Sequence, residues 1–217
     1  MEKRRSGSIG RPRGFDADEA LERAMLVFWR HGYEGASTAD LTNAMGISTT
    51  SMYAAFGNKE KLFRKALERY TEGPSAYLAR AMEEPTALGV AAAILAGTVR
   101  TTTRPADPHG CLGVHGALTA GDSGQEIRDL LVAWRNDGYS RVRARFQRAV
   151  DDGDLPADTD PGLLARYVTT FAYGIAVQAA SGVGRDELQE MADAALRNWP
   201  LFSRPAPVRL SVTPSEG

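Results

Sequence analysis

A short run of hydroxyl side chains lies in the N-terminal quarter of the chain. Residues 48–53 read Ser-Thr-Thr-Ser-Met-Tyr and directly follow the Met-Gly-Ile sequence at 45–47. Hydroxyl groups both donate and accept hydrogen bonds, and a threonine methyl group can contact the methyl group of thymine. On the exposed side of a helix, such short side chains would let the backbone approach base edges in a DNA major groove. The candidates are Thr49, Thr50, Ser51 and Tyr53, with Ser48 at the start of the helix.

Groups on either side of this run could bind phosphates. Ser37 and Thr38 stand at the predicted start of the preceding helix, where free N–H groups favour anions. Lys59 begins the following helix, from which its ammonium group could reach the DNA backbone across the groove. Arg11 and Arg13 flank a proline that holds them extended, an arrangement suited to a minor groove.

The charge distribution agrees with a partner engaged at one end of the chain. Residues 1–70 carry 12 Lys and Arg against 9 Asp and Glu, a net charge of +3, whereas residues 71–217 carry 14 against 18, a net charge of −4. This asymmetry favours a polyanion bound by the N-terminal part. A solubilising tail is the alternative explanation for the basic residues at the N-terminus alone.

Apolar periodicity predicts helices throughout and no alternating strand, so the expected fold is all-α with about nine helices. The predicted helices are 16–32, 38–44, 49–55, 59 to about 70, 85 to about 103, 110–120, 123 to about 150, 161–180 and 185–199. The 217 residues include one cysteine and no apolar stretch of membrane-spanning length, and no secretion signal is apparent. We therefore expect a cytoplasmic protein without membrane contact.

Two short helices joined by a tight turn must position the hydroxyl run. Ser37 and Asp40 have capping-box spacing for the first helix, and Ser48 can cap the second. A glycine between the helices permits the turn that a helix-turn-helix requires. The side chains predicted to pack inward are Ala39, Leu41 and Met52.

The order of these motifs resembles the DNA-binding domain of TetR-family (tetracycline-repressor-like) transcriptional regulators. The segments that carry the resemblance are Gly10-Arg-Pro-Arg-Gly-Phe15, Phe28-Trp-Arg-His-Gly-Tyr33, Ala36-Ser-Thr-Ala-Asp-Leu41, Met45-Gly-Ile-Ser48, Ser51-Met-Tyr-Ala-Ala-Phe56 and Lys59-Glu-Lys-Leu-Phe63. They cover residues 11–70 almost without gaps. Further on, Gly110-Cys-Leu-Gly-Val-His115 resembles a motif at the start of the sixth helix in one branch of the family.

The resemblance implies an all-helical homodimer that binds a palindromic operator in double-stranded DNA and releases it on binding a small-molecule inducer. It places Thr49, Thr50 and Ser51 at base edges, and Tyr53, Ser37, Thr38 and Lys59 at phosphates. Unlike many relatives, the chain has no Arg or Lys between Ser48 and Phe56. Because a basic side chain is the commonest guanine reader, we expect phosphates, the arm and DNA shape to supply more of the binding energy.

The predicted organisation has four parts. Residues 1–14 form a flexible basic arm, 15–58 the helix-turn-helix domain, 59–202 a helical ligand-binding and dimerisation domain, and 203–217 a disordered tail. Residues 59–72 are the linking helix of the third part.

Candidates for the other two sites lie on the C-terminal helices. The predicted dimer interface consists of Leu164, Val168, Ala172, Ile175, Leu188, Met191, Ala195 and Trp199, for which an internal core is the alternative. The predicted ligand site consists of Cys111, His115, Trp134, Tyr167 and Phe171, with Tyr139, Tyr173 and Gln178 as further candidates. These aromatic residues could equally be core.

Other functions are less well supported by the residues. His109, Cys111 and His115 lack a fourth metal ligand, so we expect no metal and no cofactor, and a buried thiol at Cys111 rather than a redox sensor. No glycine-rich phosphate loop, carboxylate pair or nucleophile–base pattern points to an enzyme. A ligand-responsive repressor is the leading hypothesis. The alternatives are a DNA-bound activator and a helical carrier or enzyme.

Overall fold

Helices account for the secondary structure of the residues that the computed structural model describes, 14–114 and 125–199, and these ranges contain no strand. The helices of five residues or more in these ranges are α1 (Ala17–Gly35), α2 (Thr38–Met45), α3 (Thr49–Phe56), α4 (Lys59–Glu72), α5 (Tyr77–Ala81), α6 (Ala87–Thr102), α7 (Gln125–Asp151), α8 (Pro161–Ala180) and α9 (Arg185–Arg197). The predicted all-α class is confirmed. Within the described ranges no helix has the length and hydropathy needed to cross a membrane.

Most helices begin at a polar side chain that accepts a hydrogen bond from the first turn. The first N–H groups of a helix have no backbone partners, so such an acceptor stabilises the helix start by about 0.5–2 kcal/mol. The predicted caps Ser37 and Ser48 are confirmed for α2 and α3, and Asn58 caps α4. Asp16, Thr86 and Asp160 cap α1, α6 and α8 in the same way.

Three parts of the helix prediction differ from the structure or lie beyond it. Helix α1 continues for one more turn past Gly32, whose positive φ of 69° kinks it. Helix α5 was not predicted, because five residues are too few to show a periodicity. Of the predicted helix 110–120, residues 110–111 are not helical and residues 112–114 form a helical turn. Residues 115–120, like the predicted helix start at Ser123, lie outside the described residues.

A first hydrophobic cluster, the N-terminal core, is formed by α1–α4, and aromatic side chains of these helices pack against one another within it. Phe28 meets Phe63 edge-on at 5.0 Å between ring centroids, and Trp29 meets Tyr70 in the same way at 4.8 Å. Buried residues of the segment 111–114 and of the start of α7 belong to the same cluster. The N-terminal helices therefore share one core with part of the C-terminal half.

A second cluster, the C-terminal core, is formed by α5, α6, the end of α7, α8 and α9. Phe146 and Trp199 pack edge-on in it, with ring centroids 5.6 Å apart. Arg145 is buried beside them and donates to the backbone carbonyls of Met82 and Glu84 at 3.2 and 2.6 Å. These bonds hold the loop between α5 and α6 against α7, because a buried guanidinium needs acceptors.

The close approach of α5 to α6 gives a stability prediction. A Cβ atom added at Gly97 would lie 2.3 Å from Cδ2 of Tyr77, which is too close for any carbon pair. Gly97→Ala is therefore expected to lower the free energy of unfolding in urea by about 1–3 kcal/mol. At Gly138 of α7 an added Cβ meets Leu78 at an ordinary 3.6 Å, so Gly138→Ala should raise it by about 1 kcal/mol. Equal effects of the two changes would contradict the close approach.

Candidate nucleic-acid interface and internal cavity

The turn between α2 and α3 is fixed by its backbone. Gly46 has the left-handed φ of 69°, which an L side chain rarely adopts, and its N–H donates to the Asn43 carbonyl at 3.2 Å. The N–H of Ile47 donates to the Thr42 carbonyl at the same distance. These bonds end α2 and set the direction in which α3 leaves the turn.

The start of α2 has the predicted capping box. The Asp40 N–H donates to Oγ of Ser37 at 3.1 Å, and the Ser37 N–H donates back to a carboxylate oxygen of Asp40 at 3.1 Å. The hydrogen bond from the Ser37 hydroxyl lowers the pKa of Asp40 below its usual value. The polar groups of Ser37 are thus engaged within the protein beside a carboxylate, and the phosphate contacts of Ser37 and Thr38 stay predictions.

Helix α3 exposes the face that carries the hydroxyl run. Thr49 and Thr50 are exposed, Ser51 is half-buried, and Tyr53 keeps 45% of its surface accessible. On the opposite side, Met52 and Phe56 are buried in the N-terminal core. The structure therefore presents a convex, uncharged and hydroxyl-rich helix surface, able to donate and accept hydrogen bonds.

One inward-facing prediction for the helix pair is wrong. Leu41 and Met52 are buried as expected, but Ala39 is exposed. On α2 the buried positions are Leu41, Thr42 and Met45, which lie on one side of the helix, and Ala39 falls on the other.

Lys59 is the first residue of α4 and follows the last residue of α3 by three positions. Its ammonium nitrogen sits 4.5 Å from the centroid of the Tyr33 ring, at the C-terminal end of α1. Partial burial lowers the pKa of Lys59, and the nearby Glu34 opposes that shift. The cation–π contact restrains the Lys59 ammonium group beside the C-terminal end of α1.

A buried hydrogen bond joins the N-terminal helices to the C-terminal half. The indole N–H of Trp29 on α1 donates to the Gly110 carbonyl at 3.1 Å. The next residue, Cys111, has its thiol hydrogen-bonded to the Tyr70 hydroxyl of α4. A movement of the segment around residue 110 would therefore displace its hydrogen-bonding partners on α1 and α4.

An internal cavity of about 380 Å³ lies on the other side of that segment. It is lined by Thr71, Glu72, Ser75, Ala76, Tyr77, Leu78, Ala79, Ile94, Thr98, Cys111, Val114, Trp134, Asp137, Gly138, Arg141, Thr169, Ala172, Tyr173 and Ala176. Two of the five principal ligand-site candidates, Cys111 and Trp134, are brought together here, and so is Tyr173. Burial raises the pKa of the Cys111 thiol, which favours its neutral form.

The other ligand-site candidates are placed elsewhere. Tyr167 and Phe171 pack against each other at 4.8 Å on the side of α8 that faces α9, and the Tyr167 hydroxyl donates to the Ala195 carbonyl. Their prediction as cavity residues is not met, because a different side of α8 lines the cavity, with Thr169, Ala172, Tyr173 and Ala176. Tyr139 and Gln178 do not line it either. His115, Arg11 and Arg13 lie outside the described residues.

Sequence reasoning missed most of the cavity wall. The hydroxyl residues Thr71, Thr98 and Thr169 come from three different helices, and Tyr77 comes from the unpredicted α5. No local pattern marks such residues, because a cavity between helices is defined by long-range packing. Among the described residues, no group of three His, Cys, Asp or Glu side chains is arranged to hold a metal ion.

Most of the predicted dimer residues are buried within this chain. Leu164, Val168, Ala172, Ile175, Leu188, Ala195 and Trp199 are all less than 9% exposed. They fill the C-terminal core, so they are unavailable to a partner in the way predicted. Met191, at 50%, is the exposed member of the set, and the exposed apolar side chains of α8 are instead Leu163 and Val177.

Comparison with known families covers both halves of the chain. Residues 20–66 match the family described as bacterial regulatory proteins, tetR family. Residues 89–196 match the family described as tetracyclin repressor-like, C-terminal domain.

Individual relatives match over most of their length. The chain is 34% identical over 197 residues to the HTH-type transcriptional repressor ComR of Escherichia coli K12, covering 89% of this chain and 93% of the relative. It is 30% identical over 170 residues to the repressor BdcR of the same organism, covering 76% and 85%. A solved structure of a cysteine mutant of the TetR family regulator CifR, complexed with 26-bp double-strand operator DNA, has a TM-score of 0.84 and 46% identity, covering 88% of this chain and 100% of that chain.

Proposed function

This chain belongs to the TetR family of bacterial transcriptional regulators, and we propose that it represses transcription as a homodimer on a palindromic DNA operator, from which a small molecule releases it. The observation that carries the proposal is the exposed hydroxyl face of α3, held by a glycine turn on a helix-turn-helix. Relatives named as repressors, and a relative in complex with operator DNA, support it.

Helix α3 is the element we assign to the major groove. Thr49, Thr50 and Ser51 would contact base edges, while Tyr53 and Lys59 would contact phosphates on the flanking strands. Because α3 carries no cation, binding energy must come from phosphate contacts and DNA shape to a greater extent than in a guanine-reading helix. Ser48, Ser37, Thr38, Arg11 and Arg13 complete the proposed contact set.

The dimer interface is assigned to the outer side of α8 and α9. Leu163, Val177 and Met191 are large apolar side chains exposed on two helices that pack against each other. A Cβ added at Gly174 of α8 would meet nothing within 4 Å, so this side of the helix is open to a close partner. Two helix-turn-helix units on one operator discriminate between DNA sequences more strongly than one unit does, so a dimer suits the proposed function. The proposed domains are residues 15–58, which bind DNA, and residues 59–202, which dimerise and bind the ligand.

A ligand in the cavity would control the position of the helix-turn-helix helices α2 and α3. Its wall includes Ala176 and Cys111, which belong to the N-terminal core, and Ile94 and Ala172, which belong to the C-terminal core. A ligand that fills the seam between two cores alters how they pack, and the bond from Trp29 to residue 110 transmits the change to α1. A differential affinity of about 1–3 kcal/mol would weaken operator binding several-fold to about a hundredfold.

The proposal is tested by fluorescence anisotropy with labelled duplex DNA from the region upstream of the protein's own gene. We expect saturable, sequence-selective binding that weakens steeply as salt is raised. In a reporter strain, deletion of the gene should increase expression from the bound promoter. A decrease would indicate an activator, and absence of selective binding would contradict the proposal as a whole.

Lys59→Ala gives a prediction about phosphate contacts. Removing one cation per protomer should weaken binding to operator and to unrelated DNA by a similar factor, about three- to tenfold, and reduce the slope of log K against log salt by about 1 per protomer. Lys65→Ala is the matched control, because it removes the same charge from an exposed position further along α4. If Lys59→Ala changes affinity for the operator alone, its assignment to a phosphate is wrong.

A further inference from the structure

We propose that the cavity selects an uncharged, mainly apolar molecule of one or two rings and rejects anions. This inference rests on the proposed function of the cavity as the inducer site and specifies the chemical class of the ligand. It follows from four features of the wall: its surface, its polar groups, its charges and its size.

The surface of the cavity is mostly carbon. Aliphatic side chains and three aromatic rings form it, drawn from α5, α6, α7, α8 and the segment 111–114. These residues are Leu78, Ile94, Val114, Ala172, Ala176, Tyr77, Trp134 and Tyr173. Apolar groups of a ligand would be stabilised by their removal from water, and flat rings suit the aromatic walls.

Most of the uncharged polar side chains of the wall already have partners in the protein. The indole N–H of Trp134 donates to Oγ1 of Thr71 at 2.8 Å, and the Tyr77 hydroxyl is 3.0 Å from Oγ1 of Thr98. Thr169 donates to the Ala165 carbonyl at 2.9 Å. Since these groups are satisfied, a ligand needs no polar atom to complete them, and a strongly polar ligand would lose its own water contacts with little in return.

Among the described residues, charged side chains occur at the mouth of the cavity and not within it. The charged lining residues in the part of the chain described are Glu72, Asp137 and Arg141, and all three are exposed. The guanidinium of Arg135 is close by but donates to the Gly113 carbonyl at 2.9 Å and is not part of the lining. An anion would pass two carboxylates and one guanidinium at the mouth and then be buried beyond the reach of the exposed Arg141, which is unfavourable because the inner lining that is described supplies no cation.

The size and the access path restrict the ligand further. A volume of about 380 Å³ lies at the lower end of ordinary ligand pockets, which span about 300–1,000 Å³, so only one or two rings fit. A surface groove between α4 and α7 shares four residues with the cavity, Thr71, Glu72, Trp134 and Asp137. The Trp134 indole, held by Thr71, separates the two, so a ligand arriving through the groove must move that ring.

The test compares two fluorescent probes built on the same rings. Dansylamide, which has two fused rings, is uncharged, whereas 5-dimethylaminonaphthalene-1-sulfonate has the same two rings and carries an anionic sulfonate. Gly138→Leu places a larger side chain in the mouth from α7 at a position where a Cβ makes only ordinary contacts. Ala144→Leu, exposed on the same helix and absent from the lining, is its control. Ala79→Phe narrows the mouth from α5 at an exposed position and serves if Gly138→Leu does not fold.

We expect saturable fluorescence enhancement of the uncharged probe in the wild type and in Ala144→Leu, reduced at least tenfold in affinity by either mouth variant. The anionic probe should bind the mouth-sensitive site at least tenfold more weakly than the uncharged one. Equal or tighter binding of the sulfonate there would overturn the inference, and so would uncharged-probe binding that is absent or unaffected by the mouth variants. No DNA is present in this assay, so failure of the ligand class is separate from failure of operator binding, which is measured by anisotropy without probe.

Discussion

Replacing Thr50 by glutamate is expected to weaken operator binding by about a hundredfold, equivalent to about 3 kcal/mol, while the protein stays folded. The proposed complex places this side chain among base edges between two rows of phosphates, so a carboxylate there loses a contact and adds repulsion in both protomers. Thr50 is exposed in the first turn of α3, where a negative charge suits the helix dipole. Anisotropy with operator DNA measures the affinity, and circular dichroism verifies the fold.

Ala157→Glu is the matched control for this charge change. Ala157 is exposed in the loop before α8, beside Leu155 of the C-terminal core, far along the chain from the reading helices. It adds the same charge, so any general effect of net charge on DNA binding appears in both variants. Operator affinity of Thr50→Glu within threefold of the control would remove α3 from the proposed interface.

Replacing Val177 by glutamate is expected to convert the dimer to a monomer and to reduce operator affinity by at least about a hundredfold. Val177 is 37% exposed on the outer side of α8, in the surface assigned to the partner. Its replacement would bury a charge without a counter-ion in the interface, which costs several kcal/mol per protomer. Sedimentation velocity measures the mass, and anisotropy measures the loss of paired binding.

Val132→Glu provides the comparison on a neighbouring helix. Val132 is 44% exposed on α7, outside the surface of α8 and α9, so its variant should sediment like the wild type. A dimeric Val177→Glu protein, or a monomeric Val132→Glu protein, would move the interface away from the outer side of α8.

The helices of the DNA-binding domain were predictable from the sequence because the signals that define them are local. Ser37, Ser48 and Asn58 each cap a helix through bonds to residues within three positions, and Gly46 ends α2 by its own backbone preference. Ala39 is the exception. Helix α2 is so short that its sequence fits more than one choice of buried side.

The C-terminal half was predictable in its helices but not in which side of each helix faces the core. Helix α8 is apolar on more than one side, so Leu163 and Leu164 look alike in sequence although the first is 56% exposed and the second 2%. Periodicity cannot separate a partner-facing stripe from a core-facing stripe when both are apolar. The same holds for Tyr167, whose distance from the cavity depends on how α9 packs against α8.

Tethered cleavage of DNA tests the central claim most directly, since it measures where α3 lies on the operator. Cys111 is buried, so Ala54→Cys, at an exposed position of α3 outside the proposed contact set, provides one accessible thiol for an iron–EDTA reagent, with the treated wild type as the control. The account predicts two clusters of cuts related by the operator dyad and separated by about one helical turn of about 34 Å, or a multiple of it. A single cluster, cuts spread evenly along the fragment, or cleavage no greater than in the wild type would contradict it.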